Sequence, residues 1–427
     1  MWPGHQAALV ALLSMLTGCD IGFDREPDEA EPPLSLPACA SQAGGCSPED
    51  GVFPLSGALP SLAPFDLLPV AAALANAQVL GLGESAHMSR GFIGLKVRLS
   101  RLLIEQHGFR AIAWESPRVT TRRLDAFVRT CSGDASEATR ALGPIWADTQ
   151  TRDFALWLCA WNQEHPTDVV QVHGFDVQDL ASDEAELRAF ITELLPSIAN
   201  ELLESLNACD RLDYAHCKSA LAATSAELLE AGLRAPEGTP RSRFAEARIA
   251  LTSYQGGVDQ FYIASAERAF EARDLAMAAV FQQLRERYFP DKKALIWAHN
   301  IHVVKQHQSV VGSWTGGAII TQGTQLEREL AAGAYRAAAI IARTVAVNRP
   351  EQHGPVTPSP RTGSLEAVLD QLGSTALFLD LQQGHAQAVL PADQVVELGA
   401  PGVERLVPER CFDGVLFLPQ SAMAEAL

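Results

Sequence analysis

Residues 77–87 read AQVLGLGESAH. The apolar run Val79–Gly83 stops abruptly on Glu84 and His87. It is short, lacks a helical period and is bounded by polar residues, which is how a strand buried on both faces reads. A carboxylate and an imidazole are poor packing material. In open α/β sheets, however, the C-terminal ends of strands are where ligands are held. The fold turns on whether the chain comes back as a parallel neighbour.

Residues 88–109, MSRGFIGLKVRLSRLLIEQHGF, place Phe92, Leu95, Leu99 and Leu102 at steps of three and four, an amphipathic helix. Gly108 stands where a glycine cap would stop it. Ala111–Glu115 (AIAWE) then reads as a second strand. Strand, helix and strand in about thirty residues make a βαβ unit and imply a mostly parallel sheet.

Further runs of the same kind lie at Val169–Gly174, Ala294–Ala298, Ala337–Ala342, Ala376–Leu381 and Gly414–Leu418. Residues 180–290 break the alternation. Segments such as EAELRAFITELL are helix-forming throughout, with a Pro-Gly break near Ala235–Pro240. The expected fold is α/β: a mostly parallel sheet flanked by helices, with an inserted all-helical subdomain at about 180–290 forming part of the cleft. EQHGPVTPSPRTG at 351–363 reads as a turn-rich loop.

The N-terminus carries a different message. Ala7–Leu16 is an apolar core too short to span a membrane, followed by Leu16-Thr17-Gly18-Cys19, which resembles a bacterial lipobox. The expectation is a signal peptide at 1–18, lipidation of Cys19, a flexible acidic tether over 19–51 and a folded body from Val52 to 427. The n-region holds no Lys or Arg. Export to the cell envelope would also permit disulfides. Of the 8 cysteines, Cys39 with Cys46 and Cys209 with Cys217 are close enough to close small loops; Cys131 with Cys159 is a third candidate pair, Cys411 is left inside an apolar strand, and spacing alone does not fix the connectivity. The formal net charge of -18 argues against nucleic acid as a partner, because phosphate neutralisation needs clustered Lys and Arg.

Several strands end on ionisable groups: Glu84 and His87, then Glu115, then Asp176, then His299 with His302 behind it. In a parallel sheet these ends line one edge and converge, so the groups shift one another's protonation as acid/base sites require. Each has a plainer reading. Glu115 serves as a helix cap, Asp176 as a turn holder and His299 as a satisfied core histidine. Ser85 is not in a G-x-S-x-G elbow, so nucleophilic serine chemistry does not fit. Water activated by His87, with carboxylates orienting it, does fit. Lys96, nine residues on and about two and a half turns along the same helix, is the candidate cation for a developing oxyanion; its plainer reading is a solvated lysine.

These residues carry a resemblance. GLGESAH followed by FIGLKVRLSRLLIEQHGFRAIAWE resembles the opening of the erythromycin esterase family, and HGFDVQ (173–178), ARDLAMAAV (272–280), IWAHNIHVVK (296–305) and GTQLEREL (323–330) continue it. The resemblance implies hydrolysis of a macrolactone or related carboxylic ester without a metal or other cofactor. His87 would be the general base, Glu84 and Glu115 would orient it or the water, and His299 would be the second catalytic histidine. Lys96, Arg273, His302 and Asp176 would lie at the substrate. Macrolides, self-made lactones and envelope acyl esters are all candidate small-molecule substrates. Two readings compete: a metal-dependent hydrolase at the same Glu/His cluster, and an envelope lipoprotein that binds a ligand without turning it over.

Overall fold

The computed structural model describes residues 46–210, 213–306, 319–348, 355–356, 362–373, 375–382, 386–390, 395–398 and 404–427. The leader, Cys19, most of the tether, the Cys39–Cys46 pairing and most of the 351–363 loop lie outside those residues. No helix among the described residues is long and apolar enough to cross a membrane.

The strands, in chain order, are β1 (Val52–Pro54), β2 (Val79–Leu82), β3 (Phe109–Pro117), β4 (Gln171–Asp176), β5 (Lys293–Trp297) and β6 (Tyr335–Val345). Then come β7 (Val347–Asn348), β8 (Pro355–Val356), β9 (Leu377–Asp380), β10 (Val396–Leu398), β11 (Glu404–Leu406) and β12 (Gly414–Ser421). Eight of them form one sheet in the order β1-β9-β12-β6-β2-β5-β3-β4, while β7–β8 and β10–β11 are separate pairs. From β12 to β4 every neighbour is parallel. Only β9 runs against the rest, antiparallel to β12 on one side and to β1 on the other. The mostly parallel sheet is as expected, and the run Ala376–Leu381 contains β9; the reversed direction of β9 and the three-residue β1 at the edge left no signal in the sequence.

Alternation along the strands feeds two cores. Leu80 and Leu82 of β2, with Leu295 and Trp297 of β5, face the helix Arg90–His107 and its neighbours. Val79, Ala294 and Ile296 face the other layer, where the helix Ala266–Tyr288 packs. Gly108 closes the first helix at φ 74, the left-handed value a glycine cap supplies cheaply. Between β4 and β5 the chain is helical at Leu180–Leu194, Ala199–Asp210, Tyr214–Arg234, Thr239–Tyr262 and Ala266–Tyr288. The first four of these share an apolar core of their own around Leu187, Leu206, Leu221 and Leu251. Disulfides join Cys209 to Cys217 within it, and Cys131 to Cys159 beside the sheet. Cys411 is buried at the end of the short helix Pro408–Cys411 rather than inside a strand, because β12 begins only at Gly414.

The glycines in GLG have a packing reason. A Cβ on Gly81 would come within 2.7 Å of the Tyr335 hydroxyl and 2.8 Å of Val303, and one on Gly83 within 2.2 Å of Asn300 Oδ1. The helix Asn300–Val303 lies directly on the β2 backbone there, and a side chain would hold it off.

Candidate active site

The C-terminal ends of β2, β3, β4 and β5 bring the polar residues together in two layers. In the outer layer His87 sits in the turn after β2, ahead of the helix that begins at Arg90. It is therefore not on the helix that carries Lys96, as the nine-residue spacing had suggested; the turn 83–89 intervenes. His87 Nδ1 lies 2.8 Å from Glu84 Oε1, and the other carboxylate oxygen is 2.8 Å from the Lys96 ammonium. Burial alone would push the Glu84 carboxyl up, but the charges of Lys96 and His87 outweigh it and hold Glu84 below its usual value. Ionised Glu84 can only accept, so the His87 proton sits on Nδ1 and the lone pair on Nε2. The His87 side chain keeps 12% exposure while Glu84 and Lys96 have none.

His299 caps the helix Asn300–Val303, its ring 5.5 Å from that of His87. Its Nδ1 accepts from the Ile301 N–H, and its Nε2–H donates to the Ser85 carbonyl at 3.1 Å. Burial, with the neighbouring His87, lowers its pKa to about 4, so the ring is neutral under ordinary conditions. Both ring nitrogens are thus satisfied by backbone groups, which is the core-histidine alternative, and the ring also caps a helix.

The inner layer is buried and charged. Glu115 lies within β3; its Oε1 receives Arg273 Nη2 at 2.9 Å and stands 3.1 Å from His302 Nε2, while Oε2 accepts the His299 N–H at 2.8 Å. Asp176 takes both Nε and Nη2 of Arg273 at 2.9 Å. Asp274 Oδ1 holds His302 Nδ1 at 2.7 Å, and Phe270 stacks on the ring. Burial would lower the His302 pKa, but Asp274 and Glu115 raise it to about 9. Burial likewise opposes the Glu115 charge, and His302, His87 and Arg273 overcome it, holding Glu115 well below the carboxylate range.

All eight site residues expected within the described chain thus gather at one edge of the sheet. They divide into the partly buried pair His87 and His299 and six buried groups. Lys96, Arg273, His302 and Asp176, expected at the substrate, are here buried and engaged by protein partners. Among the described residues no three His, Cys, Asp or Glu side chains form a group arranged to hold a metal ion.

Two residues of the cluster were not anticipated. Asp274 follows Arg273 directly and would have been found by asking what neutralises a buried histidine. Trp146 had no sequence signal. It comes from the loop before the helix Thr149–Glu164, donates from Nε1 to the Glu115 carbonyl at 2.8 Å, and lies 4.8 Å from the Lys96 ammonium with its ring edge-on to His87.

The fold and the cluster define an α/β protein with acid/base groups converging at the C-terminal edge of a parallel sheet. The family model for erythromycin esterase matches residues 104–421, and the chain belongs to that family. It is 23% identical to YbfO of Bacillus subtilis (strain 168) over 346 residues, 72% of this chain and 75% of that protein. To the erythromycin esterase type I of Escherichia coli it is 26% identical over 317 residues, 67% of this chain and 74% of the relative. A histidine-to-asparagine mutant of the erythromycin esterase EreC, solved in its open conformation, superposes with a TM-score of 0.68 at 19% identity, covering 87% of this chain and 98% of that one. Membership supports hydrolase activity. The matched span contains Glu115, Asp176, Arg273, His299 and His302 and begins after Glu84, His87 and Lys96.

Proposed function

We propose that the chain is a carboxylic-ester hydrolase, acting on a macrolactone or similar ester without a metal, in which His87 is the general base. The supporting observation is the hydrogen bond from His87 Nδ1 to Glu84, which leaves Nε2 outside that bond on a ring that keeps 12% exposure. Nε2 takes a proton from water as its oxygen attacks the ester carbonyl. The imidazolium is stabilised by Glu84, and the proton then passes to the departing alkoxide, giving a carboxylic acid and an alcohol. Lys96, fully buried, acts through Glu84 by keeping it ionised rather than by gripping substrate. Arg273, Asp176, His302 and Asp274 hold Glu115, whose Oε2 fixes the backbone of His299. The same reading makes Cys19 a lipidated anchor to the cell envelope. Against a metal centre stands the engagement of both His302 nitrogens and of both Glu84 oxygens by protein groups.

A panel of p-nitrophenyl esters and macrolactones tests the mechanism on wild type and His87→Ala. The variant is expected to lose about 10²–10⁴ in rate. Hydrolysis that continues unchanged in the variant, or that vanishes on chelation and returns only with Zn²⁺ or Mn²⁺, overturns it.

A further inference from the structure

The segment Ala422–Leu427, just beyond the span matched by the family model, ties together two turns that are far apart in the chain. On one side Ala424 N–H donates to the Met88 carbonyl at 2.7 Å and Arg90 N–H to the Ala422 carbonyl at 2.9 Å, with Ser89 bridged to Met423. On the other side Leu427 N–H donates to the Ala147 carbonyl at 3.0 Å and Thr149 N–H to the Glu425 carbonyl at 2.9 Å, with Asp148 bridged to Ala426. Ser421, at its root, receives the Gly91 N–H at 2.7 Å and meets the Ser89 hydroxyl at 2.6 Å.

The residues next to these anchors are those of the site. His87 precedes Met88, and Trp146 precedes Ala147. Their rings meet edge to face at 5.7 Å, and Trp146 also bonds Glu115 and covers Lys96. Met88 is held at φ 54, a left-handed conformation that a non-glycine residue keeps only where its surroundings enforce it. The segment contributes little packing of its own: Ala422, Glu425 and Ala426 are exposed, Met423 and Leu427 half-buried, and only Ala424 is buried. Its contacts are backbone hydrogen bonds, so its effect is on geometry more than on bulk stability.

We infer that Ala422–Leu427 is a positioning strap, which holds the His87 turn and the Trp146 turn in register so that the base keeps its alignment. The inference rests on the reading of His87 as base. A misplacement of about 1 Å at a catalytic group costs on the order of 10²-fold in rate.

Three variants test it: a chain ending at Ser421; Ala424→Pro, which deletes the N–H bonded to Met88; and Ala424→Ser, which keeps that N–H. Ester hydrolysis, thermal unfolding and amide exchange at Arg90 and Thr149 are measured on each, with His87→Ala alongside. The truncated chain and Ala424→Pro are expected to lose at least about tenfold in kcat with KM within about threefold. Their Tm should fall by no more than about 6 °C, exchange should quicken at Arg90 in both and at Thr149 in the truncated chain, and Ala424→Ser should restore kcat. Added peptide of residues 421–427 should recover part of the truncated chain's rate. Full kcat in both disrupted chains overturns the strap, as does a rate loss that only tracks the loss of folded protein. If instead His87→Ala retains wild-type rate, the mechanism fails, and the exchange data still report whether the segment couples the two turns.

Discussion

His299 and His302 stand three residues apart, one opening a short helix and the other within it, yet their protonation is driven in opposite directions. His299 belongs to the partly buried outer layer, has only backbone groups on its nitrogens and stays neutral. His302 lies below, clamped between Asp274 and Glu115, and stays charged. The environment decides: a buried imidazole with no carboxylate on either nitrogen sheds its proton, while one with two carboxylates keeps it. On the proposed mechanism, proton transfer falls to His87 in the outer layer, and the inner layer is a charge frame that holds the His299 backbone through Glu115.

The strongest way to break this contrast is to uncouple the frame. Arg273→Met leaves Glu115 and Asp176 buried without their shared cation, and should cost about 3–5 kcal/mol in urea unfolding. A loss below about 1 kcal/mol would mean that the inner layer is not the rigid part.

The pH dependence of stability sharpens the contrast. His302 has its folded pKa raised from 6.5 to about 9, so the folded state binds the extra proton between those values. Its contribution, about 3 kcal/mol, is complete below pH 6.5 and lost as pH rises through 9. His299, lowered from 6.5 to about 4, acts in reverse: the unfolded chain binds the extra proton there, so stability falls as pH drops from 6.5 toward 4. The two shifts are of similar size, so the two flanks should have comparable slopes. Denaturation from pH 4 to 9.5 should show both slopes, with His302→Gln flattening the alkaline one and His299→Asn the acid one. Both slopes surviving both substitutions would assign them to other groups.

The smallest effect concerns Met88. Met88→Gly removes a left-handed side chain, worth about 1–2 kcal/mol, against a glycine entropy cost of about 0.5–1 kcal/mol. Stability should rise by between about 0 and 1.5 kcal/mol, with hydrolysis preserved for as long as the Ala424 bond holds the turn. A clear destabilisation would show that the backbone there is not strained.

Much of this was legible in the chain. Short apolar runs ending in Glu84, Glu115, Asp176 and His299 announced both a parallel sheet and the edge at which its chemistry gathers, because strand burial and strand-end placement are local properties. His302 was visible behind His299 at the same strand end, and the family resemblance supplied Arg273. Contacts with no local trace were illegible. Trp146 reaches Glu115 across 31 residues, and Ser421 reaches Ser89 across 332. Nothing in the spacing from His87 to Lys96 disclosed that a turn breaks the path between them. Nor did a lysine on an amphipathic helix announce itself as wholly buried; only the position of Glu84 explains why it can be.

Gly81 and Gly83 carry a consequence for anyone who would remodel this protein. The helix Asn300–Val303 rests on them as on a hard stop, and His299 and His302 both ride on that short element. A methyl group added at position 83 would lever it outward and carry both imidazoles along, tilting the neutral ring and the charged ring in one movement. The depth of the site is thus set by two places where the chain has nothing larger than hydrogen.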